Sequence, residues 1–230
     1  MSCIAAVVAA GWAADPVRHA VIAVAIDWAR IGRSDPVPEP VLIDLTMPRL
    51  REAHPELDVT EDAVRVAITA ARTPPQGSGR ASALRTHYPD NGIRTYRPFD
   101  YLVAADDGQD GHTPQPIPDS FWRKATRDTN SDILAEVGAT AYLRKNFSTA
   151  NTLWREAANV GHVEAMHYIG ILLLERGDGA AAEHWWRESA DAGHPGAMRD
   201  LGRLLLIKRR GDHTEGQVWL RKAADAGCRG

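Results

Sequence analysis

The stretch WREAANVGHVEAMHYIG (residues 154–170) is followed by the similar stretch WRESADAGHPGAMRDLG (residues 186–202), 32 residues further along the chain. Nine of the seventeen residues are identical at this offset. Either a site of Trp, Arg, Glu, His and Met occurs twice, or a structural unit is repeated. Self-similarity at a fixed offset of this length is typical of stacked helical repeats.

The same register extends on both sides of these two stretches. Gly138 takes the position of Gly170 and Gly202, and Trp122 and Leu220 correspond to Trp154 and Trp186. The spacing of these matches is 32–34 residues. We therefore expect three helical-hairpin repeats over residues 121–230.

Each repeat divides into two predicted helices with suitable ends. The first turn of the second helix can be capped by a side-chain oxygen, and a glycine can adopt the left-handed conformation that often ends a helix. The predicted caps are Asn146, Asp178 and Asp212, and the predicted end residues are Gly161, Gly193 and Gly227. The next first helix then begins at His162 or His194.

Small and apolar residues recur at helical spacing within both helices. In one first helix Ala165, Ile169 and Leu172 form a stripe that predicts a buried face. Gly170 and Gly202 fall in mid-helix, where glycine costs about 1 kcal/mol against alanine. The expected compensation is a close approach of two helices, with Trp154 and Trp186 packed between small residues.

The repeats resemble the Sel-like branch of the tetratricopeptide repeats. The motifs are GHVEAMHYIG (161–170), AEHWWRESADAG (182–193) and GQVWLRKAADAG (216–227), and the resemblance covers residues 121–227. The loop RGDGA (176–180) is shorter than is usual in that family. The resemblance implies a solenoid that binds a protein or peptide partner in a groove lined by the first helices.

The resemblance also implies which side chains line that groove. Acidic residues lie toward one end and arginines toward the other, which suits a charged peptide, although the same residues are also compatible with a merely solvated face. The predicted groove residues are Asp132, Tyr142, Glu164, His167, Glu175, Arg199 and Arg203.

The first 120 residues show no such repeat. Apolar residues at 3–4 spacing predict a helix over 15–31, a short helix is expected over 39–47 before Pro48, and Thr60 is a plausible cap for a helix over 61–72. Two β-prone runs around Asn91-Gly92 predict a hairpin. The stretch PFDYLVAAD (98–106) is expected to form a short helix.

Three helices followed by a hairpin are the element order of a winged-helix module, so we expect a mainly α protein with a winged-helix-like domain (1–105), a linker (106–120) and the repeats (121–230). A DNA-binding version would need a basic third helix, yet Glu61 and Asp62 oppose Arg65 and Arg72 there. The net charge is −5 over residues 1–120 and +2 over the remainder. A packing or regulatory role is therefore preferred over DNA binding, which stays the alternative.

This half is also similar to the segment that precedes such repeats in bacterial multidomain signalling NTPases. The motifs are AIDWARIG (25–32), YRPFDYLV (96–103) and IPDSFWR (117–123). The chain contains no GxxxxGK[ST] phosphate loop. The resemblance implies a sensor or regulatory arm rather than a nucleotide-hydrolysing engine.

Catalytic and metal-binding patterns are not found in the sequence. DDGQDG (106–111) lacks the twelfth-position carboxylate of a calcium loop, and His162 and His194 lie one repeat apart, so a structural role is expected for both. We expect no enzyme activity, no cofactor, no small-molecule substrate and no DNA or membrane partner. A hydrolase without a recognisable motif stays a lesser alternative.

The cysteines and the N-terminus bear on the compartment. Cys3 and Cys228 form no disulfide framework, which favours the cytoplasm. The apolar run 4–14 lacks the preceding positive charge of a secretion signal, although an exported adaptor stays an alternative.

Overall fold

The computed structural model describes residues 15–33, 35–73, 82–89, 92–106, 116–125, 130–208 and 214–227. These residues form eleven helices and one three-stranded sheet. The chain divides into two compact units, residues 1–123 and 124–230. The apolar run 4–14, both cysteines, Asn91, most of the predicted linker and the Asp212 cap lie outside the described residues.

The first unit begins with three helices, and a side chain caps the first turn of the first and third of them. They are α1 (Pro16–Arg30), α2 (Glu39–Ala53) and α3 (Glu61–Arg72). The Asp15 carboxylate accepts the Arg18 N–H at 2.9 Å, and the Thr60 hydroxyl accepts the Ala63 N–H at 3.3 Å, as the sequence predicted for α3.

The prediction that α2 ends before Pro48 is wrong, because the helix continues to Ala53. Proline within a helix costs about 3 kcal/mol. Contacts of the residues that follow offset this cost: Leu50 is buried, and Arg49 Nη1 lies 2.5 Å from the Asp27 carboxylate of α1. The same Asp27 is buried against Arg30 of its own helix, at 2.9 Å.

A small sheet and two short helices complete the first unit. β2 (Leu84–His87) and β3 (Thr95–Pro98) form the predicted antiparallel hairpin, in which Thr86 lies opposite Tyr96. β1 (Val37–Pro38) was not predicted, and it pairs with the other side of β3, which gives the order β1-β3-β2. The helices are α4 (Asp100–Asp106), as expected, and α5 (Asp119–Ala125).

The second unit consists of three helical hairpins, as the period predicted. Their helices are α6 (Ser131–Leu143) with α7 (Phe147–Asn159), α8 (Val163–Glu175) with α9 (Gly179–Asp191), and α10 (Pro195–Lys208) with α11 (Thr214–Gly227). Gly161 and Gly193 have positive φ values of 87° and 95° at the second residue after their helices, whereas Gly227 is still within α11.

The mid-helix glycines allow the close packing that the sequence predicted. A Cβ atom on Gly138 would lie 2.5 Å from Trp154 Nε1, and one on Gly170 would lie 2.3 Å from Trp186 Nε1. In the third hairpin a Cβ on Gly202 would lie 2.9 Å from Leu220 Cγ. Each glycine therefore admits the large side chain of its partner helix.

The predicted equivalence of Trp122 with these tryptophans is wrong. Trp122 is buried, but it lies on the seven-residue helix α5 in the first unit. The packing of an indole on a mid-helix glycine occurs at Trp154 and Trp186, and Leu220 takes the corresponding position in the third hairpin. The first hairpin accordingly begins at Ser131 rather than at residue 121.

Candidate functional site

The repeated histidines cap the first helices. His162 Nδ1 accepts the Ala165 N–H, and His194 Nδ1 accepts the Ala197 N–H, each at 3.1 Å. A neutral imidazole has one such acceptor nitrogen, so it can replace the usual oxygen of a cap. Asn130 fills the same position before α6. This use of the histidines agrees with the predicted structural role.

Side chains of successive first helices contact one another from hairpin to hairpin. The Tyr142 hydroxyl on α6 donates a hydrogen bond to the Glu175 carboxylate on α8. One hairpin further, His167 Nε2 lies 2.9 Å from the Asp200 carboxylate on α10. We call the surface formed by α6, α8 and α10 the first-helix face.

Aromatic rings form a connected layer along this face. Tyr142 lies 5.7 Å from Trp154, which stacks at 5.1 Å on Tyr168. His167 continues the layer, with its ring 4.7 Å from the His194 ring. Such contacts between rings stabilise the packing of neighbouring helices.

Two tyrosine hydroxyls of this layer are bonded to carboxylates. Glu164 accepts the Tyr168 hydroxyl at 2.8 Å. Burial and then this hydrogen bond raise the pKa of Tyr168 to about 12. The hydrogen bond to Glu175 is the main cause that raises the pKa of Tyr142. Both tyrosines therefore stay protonated donors that orient the acidic side chains on the face.

The structure brings six of the seven predicted groove residues to the surface of the first helices. Their positions differ in exposure, from the partly buried Tyr142 to Asp132, whose side chain is 80% exposed beside His162. The other four are exposed: Glu164, Glu175, Arg199 and Arg203.

The prediction that His167 points outward is wrong. His167 is 7% exposed, and its ring packs against His194. Its backbone carbonyl also accepts the Trp186 indole N–H at 3.1 Å. The tryptophan that packs on Gly170 is thus bonded to the backbone of His167. The His167 side chain forms contacts between helices and does not line a groove.

Asp200 was not predicted from the sequence, although it joins three of the predicted residues. Its carboxylate contacts His167 and accepts the Arg199 Nε–H at 3.0 Å, and Arg203 Nη1 lies 4.0 Å away. Burial alone would raise the pKa of Asp200, but the hydrogen bonds from His167 and Arg199 lower it to about 2. The only signal in the sequence was an acidic residue between two arginines.

Asp200 also reduces the expected charge difference along the face. It neutralises part of the positive charge of Arg199 and Arg203, whose side chains stay 51% and 67% exposed. At the other end Asp132, Glu164 and Glu175 are exposed carboxylates. The face therefore carries acidic side chains on α6 and α8 and two tethered guanidinium groups on α10.

Metal-binding and membrane-spanning features can be assessed only for the part of the chain that the structure describes. No group of three His, Cys, Asp or Glu side chains there has an arrangement that could hold a metal ion. None of the described helices combines the length and the apolar character needed to cross a membrane.

The structure defines a mainly helical protein with three helical-hairpin repeats. No protein-family model matches the chain, and no curated protein matches it. Among solved structures, a crystal structure of MamA aligns with 56% of this chain and 74% of that chain, with 15% identical residues and a TM-score of 0.41. At that similarity the match carries nothing about function, and the Sel-like and NTPase relationships stay predictions.

Proposed function

We propose that this chain is a non-enzymatic helical-repeat protein that binds a segment of a partner protein along its first-helix face. The observation that carries the proposal is the direct linkage of α6, α8 and α10 through Tyr142–Glu175 and His167–Asp200. This linkage forms one continuous surface from three repeats, which is the arrangement by which solenoids bind extended segments.

The charges on the face indicate the chemistry of the partner segment. Asp132, Glu164 and Glu175 favour basic side chains of the partner at α6 and α8, and Arg199 and Arg203 favour an acidic side chain at α10. Charge complementarity of this kind sets the orientation of a bound segment more than its affinity.

The polar contacts on the face support binding rather than catalysis. His167 and Asp200 join two helices, and the Nδ1 atoms of His162 and His194 are occupied by backbone N–H groups. These groups are used to hold helices together, and the lack of enzyme activity is part of the proposal. A cytoplasmic location is also part of it, on the ground that Cys3 and Cys228 form no disulfide framework in the sequence.

We further propose that the chain is a sensor or regulatory arm related to bacterial signalling NTPases. The support comes from the sequence motifs alone. In the structure, Asp27, Trp28 and Ile31 of the motif AIDWARIG (25–32) are buried in the first unit, so these residues contribute to its core. An in-frame ATPase module in the neighbouring coding sequence would support this relationship.

Peptide selection tests the binding proposal on the full chain. Panning a phage-displayed random peptide library supplies binders of defined sequence, whose affinities are then measured by calorimetry. The double substitution Arg199→Glu with Arg203→Glu reverses two charges on the face. It is expected to weaken the peptide affinities about tenfold, which corresponds to about 1.4 kcal/mol of binding free energy.

A matched charge reversal away from the face is the control. Arg155→Glu with Arg221→Glu changes two exposed arginines on the second helices α7 and α11 and should leave the affinities unchanged. The proposal fails if no peptide is enriched, or if both pairs of substitutions weaken binding equally.

A winged-helix DNA-binding regulator is the second candidate. The order α1-β1-α2-α3-β2-β3 and the sheet order β1-β3-β2 support a winged-helix assignment of the first unit. The exposed side of α3 speaks against DNA, because Arg65 is paired with Glu61 and Asp62 and Val66 is 70% exposed. A gel-shift assay at low salt that shows no complex at micromolar protein would eliminate this candidate.

A further inference from the structure

The two most exposed large apolar side chains in the part of the chain that the structure describes occupy the same position of two repeats. Leu143 ends α6, Ile207 lies one residue before the end of α10, and each is 79% exposed. They are two periods of 32 residues apart, and Glu175 at the end of α8 lies halfway between them in the sequence. Exposed aliphatic side chains gain free energy when a partner covers them.

The packing of the repeats shows that these three positions lie on one side of the first helices. The mid-helix glycine of each first helix receives a large side chain of its own second helix. Leu143, Glu175 and Ile207 each follow that glycine by five residues, so their side chains have equivalent directions on the three helices. Because Glu175 bonds to the Tyr142 hydroxyl on the first-helix face, Leu143 and Ile207 belong to the same face.

A second apolar side chain adjoins Ile207. The hydrogen bond between Tyr142 and Glu175 joins two positions that are 33 residues apart. One repeat later the same two positions are held by Leu174 and Ile207. Leu174 is 43% exposed. The contact that is polar between α6 and α8 is therefore apolar between α8 and α10.

The spacing of the helices sets the length of a segment that reaches both exposed side chains. Packed helices lie about 8–10 Å apart, so Leu143 and Ile207, two helices apart, are separated by roughly 16–20 Å. An extended chain advances about 3.1–3.3 Å per residue, so residues six positions apart span about 19–20 Å. In a polyproline II conformation, which repeats every three residues, the residue midway between them lies on the same side.

We propose that the partner segment on the first-helix face is a polyproline II segment with apolar side chains at positions i and i+6 and a lysine or arginine at i+3. The apolar side chains contact Leu143 and Ile207, and the cation pairs with Glu175. This inference rests on the function proposed above and specifies the partner's sequence. Glu175 accepts a hydrogen bond from Tyr142, and a carboxylate retains further acceptor sites for the cation.

Fluorescence anisotropy with labelled peptides on the full chain tests this pattern. The reference peptide, GLPAKPALG, has leucines six positions apart, a central lysine, and prolines that favour polyproline II. Replacing the lysine by glutamate (GLPAEPALG), or bringing the leucines one residue closer (GLPAKPLG), should each weaken binding about tenfold. A helical peptide with a lysine midway between leucines fourteen positions apart presents a similar span, and it should bind more weakly than the reference.

Matched substitutions in the chain test the contacts. Leu143→Ser and Ile207→Ser should each weaken the reference peptide about tenfold. Val160→Ser is the control, because Val160 is 70% exposed after the end of α7, away from the loops that join the paired helices, and it should leave the affinity unchanged. Glu175→Gln should remove the preference for GLPAKPALG over GLPAEPALG, since glutamine keeps an acceptor for Tyr142 but not the charge.

The outcomes separate this inference from the function on which it rests. If library peptides bind and respond to the changes at Arg199 and Arg203 but GLPAKPALG does not bind, the pattern is wrong and the function stands. Tighter binding of the helical peptide, equal binding of the two charge variants, or equal loss with Val160→Ser also overturns the pattern. Each substitution changes an exposed side chain, so every variant should fold, which circular dichroism checks.

Discussion

At the residue scale, one His recurs in each motif and serves as a helix cap that only its neutral form can provide. Protonation of His194 Nδ1 would convert it from an acceptor into a donor facing the Ala197 N–H. Burial, and then the neighbouring charge of His167, lower the pKa of His194 below 6.5. The folded state therefore binds this proton less readily than the unfolded chain does.

This difference makes the stability of the repeats depend on pH. Because the pKa of His194 is lower in the folded state than in the unfolded chain, its contribution to the free energy of unfolding is fully present above about pH 6.5. The contribution decreases as the pH falls through the folded pKa. His194→Asn keeps a capping oxygen without a titrating group, so it should reduce the loss of stability between about pH 7.5 and pH 5. Urea unfolding followed by circular dichroism measures this slope.

His184→Asn is the matched control for this change. His184 is exposed on α9 and caps no helix in the structure, so the slope should stay as in the unmodified chain. Burial, and then the charge of Arg49, lower the pKa of His19 to about 4. His19 therefore contributes to the loss of stability over the same pH range, and it does so equally in every variant. An unchanged slope in His194→Asn would contradict the capping role.

At the element scale, the hairpins were predictable because their signals are local and repeated. Capping residues, terminal glycines and mid-helix glycines all recur in one register, and the third hairpin follows it with Leu220 in place of tryptophan. The extent of α2 beyond Pro48 and the strand β1 were not predictable. Both depend on distant partners, namely the Asp27 carboxylate for Arg49 and the Tyr96 backbone for Val37.

The same distinction applies to the candidate site. The positions of the first helices follow from periodicity. Six of the predicted groove residues lie there at exposed or partly exposed positions, and their role in binding stays a prediction. The burial of His167 depends on Trp186, His194 and Asp200, which contact it from two other helices. The spacing of residues along the sequence does not show that His167 is buried, because its contacts come from residues far from it in the helix pattern.

The glycine–tryptophan packing yields a prediction for the element itself. Gly170→Ala places a methyl group 2.3 Å from Trp186 Nε1, where the buried ring is held by its bond to the His167 carbonyl. Overpacking of about 1–3 kcal/mol or more should exceed the gain of about 1 kcal/mol in helix propensity. Thermal unfolding should show a lower melting temperature.

Gly179→Ala provides the control within the neighbouring helix. The nearest atom to its added methyl group would be Lys208 Cε at 3.5 Å, an ordinary contact. Its free energy of unfolding should change by no more than about 0.5 kcal/mol. If Gly170→Ala is equally neutral, the tryptophan does not hold the two helices at this distance.

At the scale of the whole molecule, the chain consists of two compact units that differ in the sequence separation of the contacts that stabilise them. The first unit is held by non-local contacts, such as the sheet order β1-β3-β2 and the buried group of Asp27, Arg30 and Arg49. The second unit is held by contacts within and between neighbouring hairpins. Its stability should thus depend on the number of hairpins present.

Two shortened chains test this dependence. Residues 124–230 alone should fold, with a helical circular dichroism spectrum and the blue-shifted fluorescence of buried Trp154 and Trp186. Residues 124–193 lack α10 and α11, so His167 loses Asp200 and the α9 side of the core loses Leu201 and Leu205. The shorter chain should unfold at lower urea concentration, because stacked hairpins bury their apolar faces only against their neighbours. Equal midpoints, or an unfolded 124–230 chain, would contradict a repeat unit stabilised by hairpin stacking.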